Sequence, residues 1–304
     1  MAEEKTMSAA MLKWFRDRCS LLKAPISLMS ACAAIFGYTA QGQELSVSAL
    51  MTGVSVFCIS GGAAALNNVQ DRRIDGFMER TRTRPIPGRR IRPGEALLIS
   101  ALLIVAGGAG LYISSSTIAA PLAGLSAVIL YNAIYTPLKL KTQYALIPGV
   151  ICGMLPPLMG WLSAGGDPSS QRIWYIMILF GTWQVPHFWL LLLSRREDYQ
   201  RSRIPTILDK LTVMQLKRLV CLWVGAFALL ASFMRLFLIM KSTGPVLLVL
   251  GNAVIMPAIF TYAMRGPRGL RNFRHLFHYL NTTTLGIMGL GIIDSALLSS
   301  FIVR

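Results

Sequence analysis

Asn67, Asp71 and Asp75 stand four residues apart in "NNVQDRRID". On a helix a four-residue step turns about 400°, so the three side chains form one stripe. An amide and two carboxylates present only oxygen. Mg2+ prefers that donor and is commonly held by one or two carboxylates together with substrate phosphates. Arg80, Arg82 and Arg84 follow closely in "MERTRTRPIP", and guanidinium forks match phosphate oxygens. A metal on carboxylates with arginines beside it reads as a diphosphate site. The competing explanation is a solvated, salt-bridged loop that anchors lipid headgroups. Two features favour the site: an amide at the hydrocarbon edge is costly unless paired, and the arginines are denser than an anchor needs.

The stripe sits where an apolar run ends, so apolar helices must position it. The chain has 304 residues, 54% hydrophobic and 14% charged, against about a quarter charged in soluble domains. Apolar runs of about 20 residues, enough to cross a bilayer, recur along it. They predict an all-α membrane protein with nine spans: 22–40, 46–67, 94–113, 117–135, 145–164, 171–192, 217–239, 243–264 and 278–302. The expected organisation is a single polytopic domain over 1–304. Within it, 1–21 is a juxtamembrane segment, and 68–93 and 193–216 are long loops at the site.

Charge placement supports nine. Of the 30 Lys and Arg, 26 fall in segments 1–23, 68–93, 136–144, 193–218 and 265–277. With nine spans these all lie on one side, which the positive-inside bias makes cytoplasmic, with the N-terminus inside and the C-terminus outside. Short juxtamembrane loops explain the net charge of +17 without nucleic acid. The first apolar run is a retained helix rather than a secretory signal, since eight more follow. Glu3 and Glu4 are unlike an acidic-poor transit peptide, so a bacterial inner membrane is expected. The five Cys are scattered and suggest neither disulfides nor a metal cluster. The two long loops, "DRRIDGFMERTRTRPIP" and "SRREDYQRSRIPTI", are faintly alike and hint at an internal duplication.

"NNVQDRRID" resembles the first Asp-rich motif of the UbiA-type intramembrane prenyltransferases. "MERTRTRPIP", "YTPLKLKT" with "GMLPPLMGW", and "WQVPHFW" followed by "EDY" and "IP" are similar, in that order, to the branch of this family that makes heme O. The resemblance spans about residues 20–290. It implies nine helices around a central cavity and a Mg2+-dependent transfer of an isoprenyl group. For this branch it implies farnesyl diphosphate as donor, heme B as acceptor and heme O as product. It places Mg2+ on Asn67, Asp71 and Asp75, with Asp198 as a further metal ligand. Arg80, Arg84 and Lys139 would meet the diphosphate, and Tyr135 would lie near the reacting carbon. The second Asp-rich motif of many relatives is altered here. His187 stands near where an Asp is expected, and Glu197 and Asp198 lie downstream.

Histidine is a common axial ligand of heme iron. His187, with Trp183 beside it, is therefore a candidate heme contact, and His278 a second; a hydrogen-bonded bundle histidine is the plainer alternative. Asn132 and Gln184 read as interhelical hydrogen-bonders, "SGGAAAL" (60–66) as a close-packing surface, and Asp294 as facing the outer interface. The implied partners are farnesyl diphosphate, heme B and the bilayer, with heme A synthase or a terminal oxidase assembly downstream. Two other functions fit less well: prenylation of an aromatic or quinone precursor, and transport of an anionic or lipid substrate.

Overall fold

A computed structural model of the chain describes residues 2–79, 81–115, 117–202, 204–265 and 270–302. Its helices are α1 (Ala2–Leu21), α2 (Ala24–Ala40), α3 (Val47–Asp75), α4 (Pro93–Ser115), α5 (Ala119–Val128), α6 (Thr136–Leu138), α7 (Leu146–Ser163), α8 (Gln171–Ser194), α9 (Arg196–Ser202), α10 (Val213–Ser232), α11 (Thr243–Arg265) and α12 (Leu270–Ile302). A π-helical stretch, Ile129–Tyr135, joins α5 to α6 into one span. Among the described residues eight helices are long and apolar enough to cross a bilayer. The number is nine if the bent pair Met11–Leu21 and Ala24–Ala40 counts as one.

The spans follow one another round in chain order. Contacts run from α2 to α3, α4, α5, α7, α8, α10, α11 and α12, and α12 then packs against α2. α8 and α3 are the most enclosed, with 72% and 61% of their apolar windows buried, against 22% for α4 and for α11. Leu102 and Val105 on α4, and Leu247 and Val254 on α11, stay exposed; such surfaces suit lipid rather than water. Small residues set the close approaches. A Cβ on Gly62 would lie 2.9 Å from the Ser100 carbonyl oxygen, and Ser100 Oγ donates to the Gly62 carbonyl at 2.8 Å. A Cβ on Gly160 would lie 1.8 Å from the Ala34 carbonyl oxygen. The close-packing reading of 60–66 therefore holds at Gly62.

Several boundaries differ from the sequence expectation. Residues 68–75, expected in a loop, continue α3, because leaving hydrocarbon does not itself end a helix. For the same reason α12 begins at Leu270 rather than near 278. The seventh expected span stops at Ser232, and the apolar residues after it form turns with Leu238 left-handed (φ 56°). Asp294 does not face the outer interface. It is 1% exposed, and its carboxylate accepts from the backbone N–H of Lys241 at 2.6 Å and of Ser242 at 2.9 Å. Gln184 Nε2 donates across helices to the Val150 carbonyl at 3.3 Å, as expected of an interhelical amide.

Candidate active site

α3 is unbroken to Asp75, so Asn67, Asp71 and Asp75 do form one face, 1%, 6% and 4% exposed. Among the described residues each meets one cation. Lys23 Nζ donates to Asn67 Oδ1 at 2.5 Å. Lys139 Nζ donates to Asp71 Oδ2. Arg84 donates to Asp75 Oδ2 at 2.8 Å. Buried carboxylates without such partners would be strongly disfavoured.

Two helix breaks deliver the lysines, and α3 seals both. Pro25 has no N–H, so the Leu21 carbonyl four residues back lacks its helical donor; Asn68 Nδ2 of α3 takes it at 2.7 Å. Ser27 Oγ takes the Leu22 carbonyl at 2.8 Å. The chain bends by 59° there, with Lys23 at the elbow in the left-handed region (φ 47°, ψ 50°). At the second break the backbone is in the i→i−5 register, with the Thr136 N–H on the Tyr131 carbonyl. Pro137 cannot donate to Asn132 in that register, and Gln70 Nε2 of α3 takes the Asn132 carbonyl at 2.9 Å. Asn132 Nδ2 returns a bond to Gln70 Oε1 at 3.0 Å and another to the Ala63 carbonyl. π stretches recur at functional sites. This one stacks Tyr131 on Tyr135, centroids 5.6 Å apart, and carries Lys139 over the Tyr135 ring at 5.7 Å.

A row of rings leads from the stripe to His187. Tyr135 lies 6.3 Å from Phe188, and Phe188 5.7 Å from His187. His187 also packs on Trp183 at 5.0 Å and Phe277 at 4.7 Å. Its Nδ1 is 2.8 Å from Asn281 Oδ1, while Asn281 Nδ2 donates to the Phe277 carbonyl at 2.8 Å. That second bond fixes the amide orientation. The network thus assigns the proton to Nδ1 and the lone pair to Nε2, and no hydrogen bond among the described residues engages Nε2. Trp183 Nε1 is buried and has no acceptor among the described residues.

The structure thus gathers Asn67, Asp71, Asp75, Arg84, Tyr135 and Lys139 in one place, with Trp183 and His187 next to it. Arg80 lies outside the described residues. His278 is exposed, edge-on to Phe277. Asp198 is on α9, and among the described residues no three His, Cys, Asp or Glu cluster as a metal site. Two carboxylates and an amide oxygen on one helix face remain. That hard-oxygen set, already surrounding itself with cations, fits a divalent ion shared with a diphosphate. Sequence reading missed Lys23, Tyr131, Thr136 and Asn281. Lys23 had one signal, a lone cation two residues before a proline at the start of an apolar run.

The UbiA prenyltransferase family model matches residues 27–281. The chain belongs to the UbiA prenyltransferase family. It is 32% identical over 251 residues to a protoheme IX farnesyltransferase of Nitratidesulfovibrio vulgaris (strain DP4), covering 82% of this chain and 87% of that protein. It is 35% identical over 214 residues to a protoheme IX farnesyltransferase of Geobacter sulfurreducens, covering 70% and 78%. In fold it is similar to a UbiA homologue of Archaeoglobus fulgidus bound to GPP and Mg2+, with TM-score 0.65, 16% identity, and 91% and 99% of the two chains covered. The UbiA fold therefore accounts for the round of helices, and the stripe lies within the matched region.

Proposed function

We propose that this protein farnesylates heme B, converting heme B, farnesyl diphosphate and water to heme O and diphosphate. The observation that carries the donor half is the stripe of three oxygen donors, each facing one cation. The acceptor half rests on His187, whose Nε2 is engaged by no hydrogen bond among the described residues, and on the names of the relatives.

Asn67, Asp71 and Asp75 would hold Mg2+, which supplies Lewis-acid neutralisation of the diphosphate. Lys139 and Arg84 place fixed positive charge where the allylic C–O bond releases its electron pair to the leaving diphosphate, and preorganised charge of this kind is a large catalytic term. Tyr135 and Phe188 line the way from the stripe to His187, and aromatic rings attract the positive charge of an allylic cation. His187 Nε2 binds the iron of the acceptor and sets the porphyrin against this wall. The vinyl group's terminal carbon then bonds to the farnesyl carbon. Water adds to the neighbouring carbon and loses one proton, leaving a hydroxyethylfarnesyl substituent.

The same reading puts the chain in a bacterial inner membrane, N-terminus inside and C-terminus outside, as one polytopic unit. Heme A synthase or a terminal oxidase assembly would receive the product. The test supplies hemin, farnesyl diphosphate and Mg2+ to the purified protein and follows the tetrapyrrole by mass spectrometry. Conversion to the mass of heme O is expected. Farnesylation of an aromatic acid or quinone precursor in preference to heme would overturn the acceptor assignment.

A further inference from the structure

Lys23 faces a ligand position that a metal would need. Asn67 Nδ2 donates to Thr136 Oγ1 at 2.9 Å, which fixes the amide and leaves Oδ1 as its metal-facing atom. Lys23 Nζ sits on that oxygen at 2.5 Å and on Tyr131 Oη at 3.1 Å. An ammonium and a divalent ion cannot share one amide oxygen at bonding distance, since their repulsion at such separations is large. Metal arriving at Asn67 therefore displaces Lys23. The backbone just before the lysine is pinned, with Asn68 on the Leu21 carbonyl and Ser27 on the Leu22 carbonyl, and cannot retreat far. The lysine's left-handed conformation is disfavoured in a residue with a Cβ, and strain of that kind persists where the surroundings over-determine it. The displaced ammonium swings on its four-carbon stem, and the strongest acceptor within reach is the diphosphate arriving with the metal.

We propose that Lys23 is a further diphosphate-binding residue, held on Asn67 in the resting site and transferred to the diphosphate as metal and diphosphate load together. This rests on the donor-site reading above. It makes metal alone a poor ligand and metal with diphosphate a good one, so an isolated ion does not fill the site.

The test measures Mn2+ binding to the full-length protein in detergent by electron paramagnetic resonance, with and without inorganic pyrophosphate. In Lys23→Gln, Mn2+ alone should bind about tenfold more tightly, because its competitor is gone. Mn2+-dependent pyrophosphate binding should weaken about tenfold, the effect of one charge-assisted hydrogen bond. Lys23→Arg should restore the wild-type pattern. A lysine that only braces the elbow would move both affinities the same way or neither, and either result overturns the inference. The wild-type protein gives a second reading that no folding defect can mask. Reactivity of Lys23 toward an amine acylating reagent, read by mass spectrometry, should rise with Mn2+ alone and fall when pyrophosphate is added; reactivity indifferent to Mn2+ overturns the proposal. Absence of any Mn2+-dependent pyrophosphate binding to the wild type would instead overturn the donor-site reading, and this inference with it.

Discussion

Asp71 is buried against Lys139, so removing its charge and removing its volume are different experiments. Asp71→Asn keeps the shape and takes away a metal ligand. We expect kcat/KM for farnesyl diphosphate to fall about 100-fold or more, with the thermal midpoint little changed; near-normal turnover would remove Asp71 from the metal set. Asn281→Leu tests the other end of the site. It abolishes the bond that keeps the proton on His187 Nδ1, so a hemin titration followed in the Soret band should show affinity about tenfold weaker. An unchanged titration returns His187 to a packing role. The two ends were unequally legible. The stripe is a local pattern, four residues per step, and helix geometry alone converts it into a face. Lys23 reaches Asn67 across 44 positions and His187 reaches Asn281 across 94. Pairings at that range leave no spacing to read.

The helical elements were legible to within a few residues wherever hydrocarbon ends the apolar run. They were not legible where backbone hydrogen bonding decides. No hydropathy pattern distinguishes the π register of 129–135 from α, yet that register stacks Tyr131 on Tyr135 and aims Lys139. Pro137→Ala restores an N–H that competes with Gln70 for the Asn132 carbonyl. We expect helix content unchanged by circular dichroism and kcat/KM reduced about tenfold or more, because small displacements of positioning groups are costly; wild-type kinetics would show that the register is incidental. Gly160→Ala tests packing at the same scale. Its methyl would meet the Ala34 carbonyl, and overpacking of this kind typically costs about 1–3 kcal/mol. Gly108→Ala, where a Cβ meets open space, is the control. Thermal unfolding in detergent should lower the midpoint for the first variant and leave the second in place.

For the whole molecule, an all-helical polytopic fold was readable from the apolar runs, with eight spans, or nine if the bent pair is one, among the described residues, while their neighbour relations were not. The orientation remains a prediction with a direct check. In a background with the native Cys replaced, Ser169→Cys should react with an impermeant maleimide on intact cells. Lys210→Cys should react only after permeabilisation, and the reverse pattern would invert the topology. The contact between α12 and α2 has a consequence for how the chain is made. α2 precedes the spans from α3 onward in the chain, and α12, its neighbour across the seam, follows them all. Phe36 of α2 lies against Gly291 of α12, and Ser295 Oγ donates to the Gln43 carbonyl at 3.3 Å. A nascent polypeptide stalled before residue 270 therefore leaves bare the faces of α2 and α8 that α12 covers, and incompletely assembled apolar surface is what insertion factors and proteases recognise. Closure of that seam is a physical mark that α12 has been made.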